Sequence, residues 1–228
     1  MLVIISDLHL TDGSSGETIR VGAFRMFRES LRNMAYDASW RPDGTYKPIE
    51  EMHLVLLGDI LDLIRSTQWP ADNSDPGYVR PWHDPYSEIF TGKIRAITEA
   101  ILKKNADSLA ILKGLAERKA ITIPPATFDG KPAKVSREPD APERLPVKVY
   151  IHYMIGNHDW FLHLPGEPYD QIRQGVIQAI GLANPPAGPF PHNPSAYPPI
   201  ESVYRQHSVF ARHGDIFDPF NYEGNRNA

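Results

Sequence analysis

A chain of 228 residues, 41% hydrophobic and 23% charged, has ordinary globular composition and enough apolar mass for one substantial core. Its formal charge of −4 gives no global attraction for nucleic acid or an anionic membrane, so an anionic ligand would need a local positive site. The absence of cysteine excludes disulfides and thiolate chemistry, restricts any metal to oxygen and imidazole donors, and fits a cytoplasmic setting.

The chain opens Met1-Leu2-Val3-Ile4-Ile5 and reaches Asp7 and His9 at once, without the basic start and cleavage site of a secretory signal. No run approaches the roughly 20 apolar residues that span a bilayer, so a soluble protein is expected. Leu2 to Ile5 reads as a central strand covered on both faces. After a Gly/Ser-rich loop from Asp12 to Gly16, Ile19, Ala23, Met26, Phe27, Leu31 and Met34 recur at helical spacing, predicting a helix that ends near Asp37. Arg41-Pro42-Asp43-Gly44 marks a turn, and His53 to Leu57 a second buried strand running into Gly58-Asp59.

An irregular excursion over about 66–85 precedes a long helical pattern from Phe90 through Ile94, Ile97, Ile101, Leu109 and Leu112 to Leu115. A proline-rich and charged surface excursion follows over 119–146, then a third strand, Val147 to Ile155, ending at Gly156-Asn157-His158-Asp159. Ile172, Val176, Ile177 and Ile180 predict a helix that stops at Gly181. The prolines over 184–199 preclude regular structure, leaving a lid or a connector. Short strands near Ser202 to Arg205 and His207 to Arg212 then lead to His213-Gly214-Asp215. Strands alternating with helices imply a single α/β layered domain over 1–228.

Four of these strands end in residues able to bind a metal, and ligands collect at the carboxyl ends of strands in α/β sheets. Asp7-Leu8-His9 offers a carboxylate and an imidazole on one side of a strand end, although Asp and His are also common turn residues. In Gly58-Asp59-Ile60-Leu61-Asp62, glycine allows close backbone approach and Asp59 is placed either to ligate or to cap a helix, with Asp62 in a supporting position. Gly156-Asn157-His158-Asp159 is the most specific cluster, because an amide, an imidazole and a carboxylate in succession are costly beside a buried strand. There Asn157 would be a neutral ligand, His158 an acid for a leaving group, and Asp159 the group fixing the His158 tautomer. His213 presents a further imidazole, while His53, His83, His152, His163, His192 and His207 read as core or surface filling.

The order Asp-x-His, Gly-Asp-x-x-Asp, Gly-Asn-His-Asp, His-Gly-Asp resembles the calcineurin-like metallophosphoesterase family over nearly the whole chain. The resemblance implies a four-layer αββα sandwich of two mixed β-sheets flanked by helices. It implies that Asp7 and His9 bind one divalent metal ion (manganese, iron or zinc), Asn157 and His213 a second, and that Asp59 bridges them, with His158 and Asp159 assisting the leaving group. The expected reaction is hydrolysis of a phosphomonoester, phosphodiester or pyrophosphate by a hydroxide between two ions about 3.5–4 Å apart. The family's closing Gly-His-x-His does not follow His213, so the chain is expected to be a C-terminally incomplete piece of such a domain, the alternatives being that a different group completes the site or that the site is degenerate.

Within the same superfamily a nuclease is the alternative, which the acidic balance disfavours. A non-catalytic scaffold that keeps the fold and docks partners through its proline-rich stretches is the alternative outside enzymes. His-Gly-Asp also resembles the branch that cleaves a pyrophosphate in lipid A precursors, where Trp160-Phe161-Leu162 could meet an apolar group or equally could simply pack. Arg20, Arg65 and Arg80 are the candidate phosphate contacts.

Overall fold

The computed structural model describes residues 1–16, 19–69, 74, 78–117 and 120–218. Parts of the expected excursions at 66–85 and 119–146, and the tail beyond Asp218, lie outside these residues. Three strands, β1 (Leu2–Ile5), β2 (Glu51–Leu57) and β5 (Lys148–Met154), form an all-parallel sheet in the order β1-β2-β5. Leu2 pairs with His53 and Glu51 with Lys148, so the sheet is in register and all three strands end at the same edge. Parallel neighbours need long crossovers. The first is α1 (Val21–Asp37); the second runs through α2 (Glu88–Lys104), α3 (Ala106–Ala116) and a two-stranded antiparallel pair, β3 (Thr122–Ile123) with β4 (Leu145–Pro146).

Alternation along the strands divides the core. Met52, Leu54 and Leu56 of β2 and Val149, Ile151 and Tyr153 of β5 pack with Phe24 and Leu31 of α1, Phe90, Ile94 and Ile97 of α2, Leu109 and Leu112 of α3, and Ile172 and Val176 of α4 (Glu167–Ile180). The opposite face, with Leu2, Ile4, Val55, Leu57 and Met154, meets Tyr197 and the Ile200 and Tyr204 side chains of α5 (Pro198–Gln206). The fold is therefore α/β with helices on both faces of a small parallel sheet. Among the described residues there is no second mixed sheet, and no helix is long and apolar enough to cross a membrane.

Several expectations change. The long helical pattern from Phe90 to Leu115 breaks at Asn105, whose amide donates to Thr11 O and Ile101 O, each at 2.8 Å. One polar side chain thus trades helix continuity for a tie to the loop after β1. The 119–146 excursion contains the β3–β4 pair. Ser202 to Arg205 is helical, started by Pro198 and Pro199 in the first turn of α5, and no strand forms over His207 to Arg212. Ser208 adopts φ +53 and Val209 N donates to Tyr204 O at 2.9 Å, so the chain there closes a helix end. The 184–199 stretch is a packed connector: Asn184 exchanges hydrogen bonds of 2.8 and 2.9 Å with both backbone groups of Tyr153, substituting for a neighbouring strand, and Phe190 is buried. Phe161 and Leu162 belong to the core rather than to an exposed apolar contact.

On the face toward α5, His152 is buried with His53 stacked beside it, the two joined by a 3.1 Å contact from His53 Nδ1 to His152 Nε2. Burial, helped by the nearby His53, lowers the His152 pKa to about 4. The unfolded chain then binds a proton more readily than the folded one, and stability declines as pH falls from about 6.5 toward 4. We expect urea denaturation to show a loss of about 2–3 kcal/mol from this group by pH 4.5. A His152→Leu protein should have a correspondingly flatter pH dependence; parallel curves for the two proteins would show that His152 is not the titrating group.

Candidate metal centre

The three parallel strands end beside one another, and the loops that leave them are joined by main-chain hydrogen bonds. Gly58 N donates to Met154 O at 2.9 Å, Asp7 N to Gly58 O at 3.1 Å, His9 N to Asp59 O at 2.9 Å and Leu10 N to Ile60 O at 2.9 Å. Asp7, His9 and Asp59 occupy left-handed backbone conformations, with φ of +57, +44 and +54. Each such residue costs on the order of 1 kcal/mol, and three of them together at one strand edge mark a place where geometry is held against local preference. Gly58, at φ +79, and Gly156 have no room for a side chain. A Cβ on Gly58 would lie 2.6 Å from the His213 ring, and one on Gly156 would run into the Asp59 carboxylate.

The result is a ring of donor atoms. His9 Nε2 lies 3.8 Å from both Asp7 Oδ1 and Asp59 Oδ2, and His213 Nε2 lies 3.8 Å from Asp7 Oδ1 and 3.6 Å from Asp59 Oδ2. Two donors bound to one tetrahedral ion at about 2.1 Å sit about 3.4 Å apart, so these separations need only a slight contraction to hold a cation. Two groups of three potential ligands can be drawn, His9 with Asp59 and His158, and Asp7 with Asp59 and His213. Asp59 is common to both. Asp7 Oδ1 stands equally far, 3.8 Å, from His9 and His213, so the distances allow Asp7 to share an ion with either ring. Asn157 lines the same cleft of about 500 Å³, together with Arg65, Arg212, Asp215 and Asp218. Asp59 is buried and Asp7 exposed, so the ring opens to solvent on the Asp7 side.

Asp62 organises the imidazoles. Its Oδ2 accepts from His9 Nδ1 at 3.0 Å and its Oδ1 from His158 Nδ1 at 2.8 Å, so both rings are held through Nδ1 and direct Nε2 away from Asp62. Burial pushes the Asp62 pKa up, but the bonds from His158, Arg65 N and His9 outweigh it and hold the carboxyl below its ordinary value. The same bond raises the His158 pKa against the opposing effect of burial, with Asp62 and Asp59 adding charge attraction.

Asp159 has a different place from the one expected. It does not orient His158; it is fully buried, and accepts from Gly156 N at 2.6 Å, Ile60 N at 2.9 Å and Tyr153 Oη at 2.7 Å. Burial is the main reason that its pKa is raised. Its task is to lock the Asp59 loop to the Asn157 loop. Of the three expected phosphate contacts, only Arg65 reaches the cleft. Arg20 lies beside Thr11 and Asn105, and Arg80 bonds Trp69 O and Tyr78 Oη. Sequence reasoning passed over Arg212 and His192, whose contact becomes visible only once chain segments 20 residues apart are brought together.

Asp62→Asn leaves the position one acceptor for two imidazole donors, so either His9 or His158 must turn. The expected outcome is a 10- to 100-fold loss of manganese affinity in equilibrium dialysis with an unchanged circular dichroism spectrum; an affinity within twofold of the parent would mean that Asp62 does not set the ring orientations. No family model, curated protein or solved structure matches the chain, so a functional reading rests on this geometry and on the motif order.

Proposed function

We propose that the protein is a metal-dependent phosphoester hydrolase that cleaves a phosphomonoester, phosphodiester or pyrophosphate, and that its carboxylates and imidazoles, Asp59 central among them, would hold two divalent ions. The observation that carries this reading is the ring itself: four donor atoms from three distant stretches of chain, with neighbouring separations of 3.6–3.8 Å, two of their carboxylates and one imidazole on left-handed backbone. Mixed oxygen and nitrogen donors without thiolate suit manganese, iron or zinc. With the reading goes the family's four-layer sandwich, of which the parallel sheet and its helices would form one half.

Asp7, His9, Asp59, Asn157 and His213 would hold the cations. Bound there, divalent ions supply an activated water at neutral pH and countercharge for the phosphoryl oxygens. The chain's own contribution is orientation and proton handling. Asp62 holds the His158 ring by Nδ1 and favours its charged form, so that a proton at Nε2 is ready for the departing oxygen. Asp159 and Tyr153 keep the two loops at fixed separation, and Arg65 adds a guanidinium to the cleft wall.

Metal analysis and hydrolysis of aryl phosphate mono- and diesters by the manganese-saturated protein test the reading, with activity expected to vanish on chelation and return with manganese. No bound ion at saturating manganese would sink it and favour the scaffold. In the loaded protein His158→Ala should lower turnover by roughly 10²–10⁴-fold while metal content holds. An emptied site would instead make His158 a ligand, and unchanged turnover would remove its role as acid.

A further inference from the structure

Beyond the donor ring, the cleft wall carries a second hydrogen-bonded chain, and it ends on a cation. Arg212 Nη2 donates to His192 Nδ1 at 3.0 Å. Because Nδ1 accepts that bond it carries no proton, so the neutral ring bears its hydrogen on Nε2, which faces Asp215 Oδ1 at 3.3 Å. The same Asp215 oxygen lies 3.3 Å from His213 Nδ1 on its other side. Asp215 and His192 are both buried, so the chain is shielded from competing water.

We propose that Arg212 is a substrate-binding residue which grips a phosphoryl oxygen in the cleft, and that His192, fixed by Asp215, positions its guanidinium for that purpose. This rests on the phosphoester reading and extends it to the anion-binding residue. Three observations support it. Arg212 lines the cleft that contains Asp7, Asp59 and His213. Among the described residues only the Nη2 nitrogen of its guanidinium is engaged, by His192, so Nη1 remains to meet an anion. Its tether is an uncharged imidazole rather than a carboxylate, so the positive charge is held in place without being neutralised, which suits recognition of a dianionic phosphoryl group. Arg65, by contrast, lies with its Nε 3.3 Å from the Asp62 carboxylate, and its charge is partly answered there.

The test is calorimetric binding of inorganic phosphate to the manganese-saturated protein, with metal stoichiometry measured alongside for the parent, Arg212→Ala, His192→Leu and the double variant. Arg212→Ala should weaken phosphate binding at least tenfold with metal content retained. His192→Leu should weaken it by several-fold, and the double variant should bind no more weakly than Arg212→Ala, because the histidine acts only through the arginine. Phosphate binding by Arg212→Ala equal to the parent, or a parent that binds no phosphate, would overturn the proposal; losses that multiply in the double variant would overturn the positioning role. The two readings separate cleanly. A parent that binds phosphate through Arg212 yet hydrolyses no ester removes the hydrolase function and leaves the anion site, whereas an active parent unaffected by Arg212→Ala removes the anion site alone.

Discussion

One buried carboxylate holds the site together. Asp159 lies beneath the strand ends and accepts three hydrogen bonds, from the loop after β2, from the loop after β5, and from the Tyr153 hydroxyl within the sheet. Tyr153 in turn accepts from Leu61 N at 3.2 Å, so the pair holds the loop after β2 twice and the loop after β5 once. Burying a carboxylate is costly, and the raised pKa of Asp159 is one sign of that cost. What offsets it is that both of its oxygens accept from donors held in place, two loop amides and the Tyr153 hydroxyl. Arg173 supports the turn just beyond: it is buried in α4 and donates to Leu162 O at 2.9 Å and Leu164 O at 2.6 Å, fixing the segment that follows Asp159.

On that foundation the left-handed residues can be held. Asp and His tolerate this region better than most side chains, but three instances within two adjoining loops require the surroundings to decide the conformation. The main-chain bonds from Asp7 to Gly58 and from His9 to Asp59 do so. The glycines at 58 and 156 do the complementary work of removing side-chain volume where the His213 ring and the Asp59 carboxylate approach. Parallel strands make this practical, since adjacent parallel strands present their carboxyl ends side by side at one edge.

Much of this was legible in the sequence, and the failures have physical causes. The three parallel strands read correctly, unlike those expected at 202–205 and 207–212, because buried parallel strands are continuous apolar runs, and a polar triplet directly after one stands out. Helix α5 was missed although Pro198-Pro199 is a helix-start signal, because a proline-rich stretch leading into it suggested irregular chain. The orienting partner of His158 was misassigned to its neighbour Asp159, whereas Asp62, 96 residues away, makes the contact. Adjacent residues at a strand end point in different directions, and proximity in sequence is a poor guide to side-chain pairing there. The break at Asn105 has a tertiary cause, an amide bonded to Thr11 O, that no periodicity could reveal.

The charges explain why this edge of the sheet suits cations. Asp7, Asp59, Asp62, Asp159 and Asp215 gather there, and each buried carboxylate without a partner would cost several kcal/mol on general grounds. Asp62 is answered by two imidazoles and Arg65, Asp159 by two amides and a hydroxyl, and Asp215 by the rings of His192 and His213. Asp59 gives one oxygen to His158 N at 2.9 Å, and its other oxygen turns toward His9 and His213, as Asp7 does. The dedicated partners are thus distributed so that the Asp7 and Asp59 carboxylates face two imidazole nitrogens, the His9 ring held from behind by Asp62 and the His213 ring lying 3.3 Å from Asp215. A neutral or anionic ligand gains nothing from that arrangement. A cation could be held there by Asp7, Asp59 and the two imidazoles, at an edge of the sheet where three left-handed residues are kept in place by main-chain hydrogen bonds.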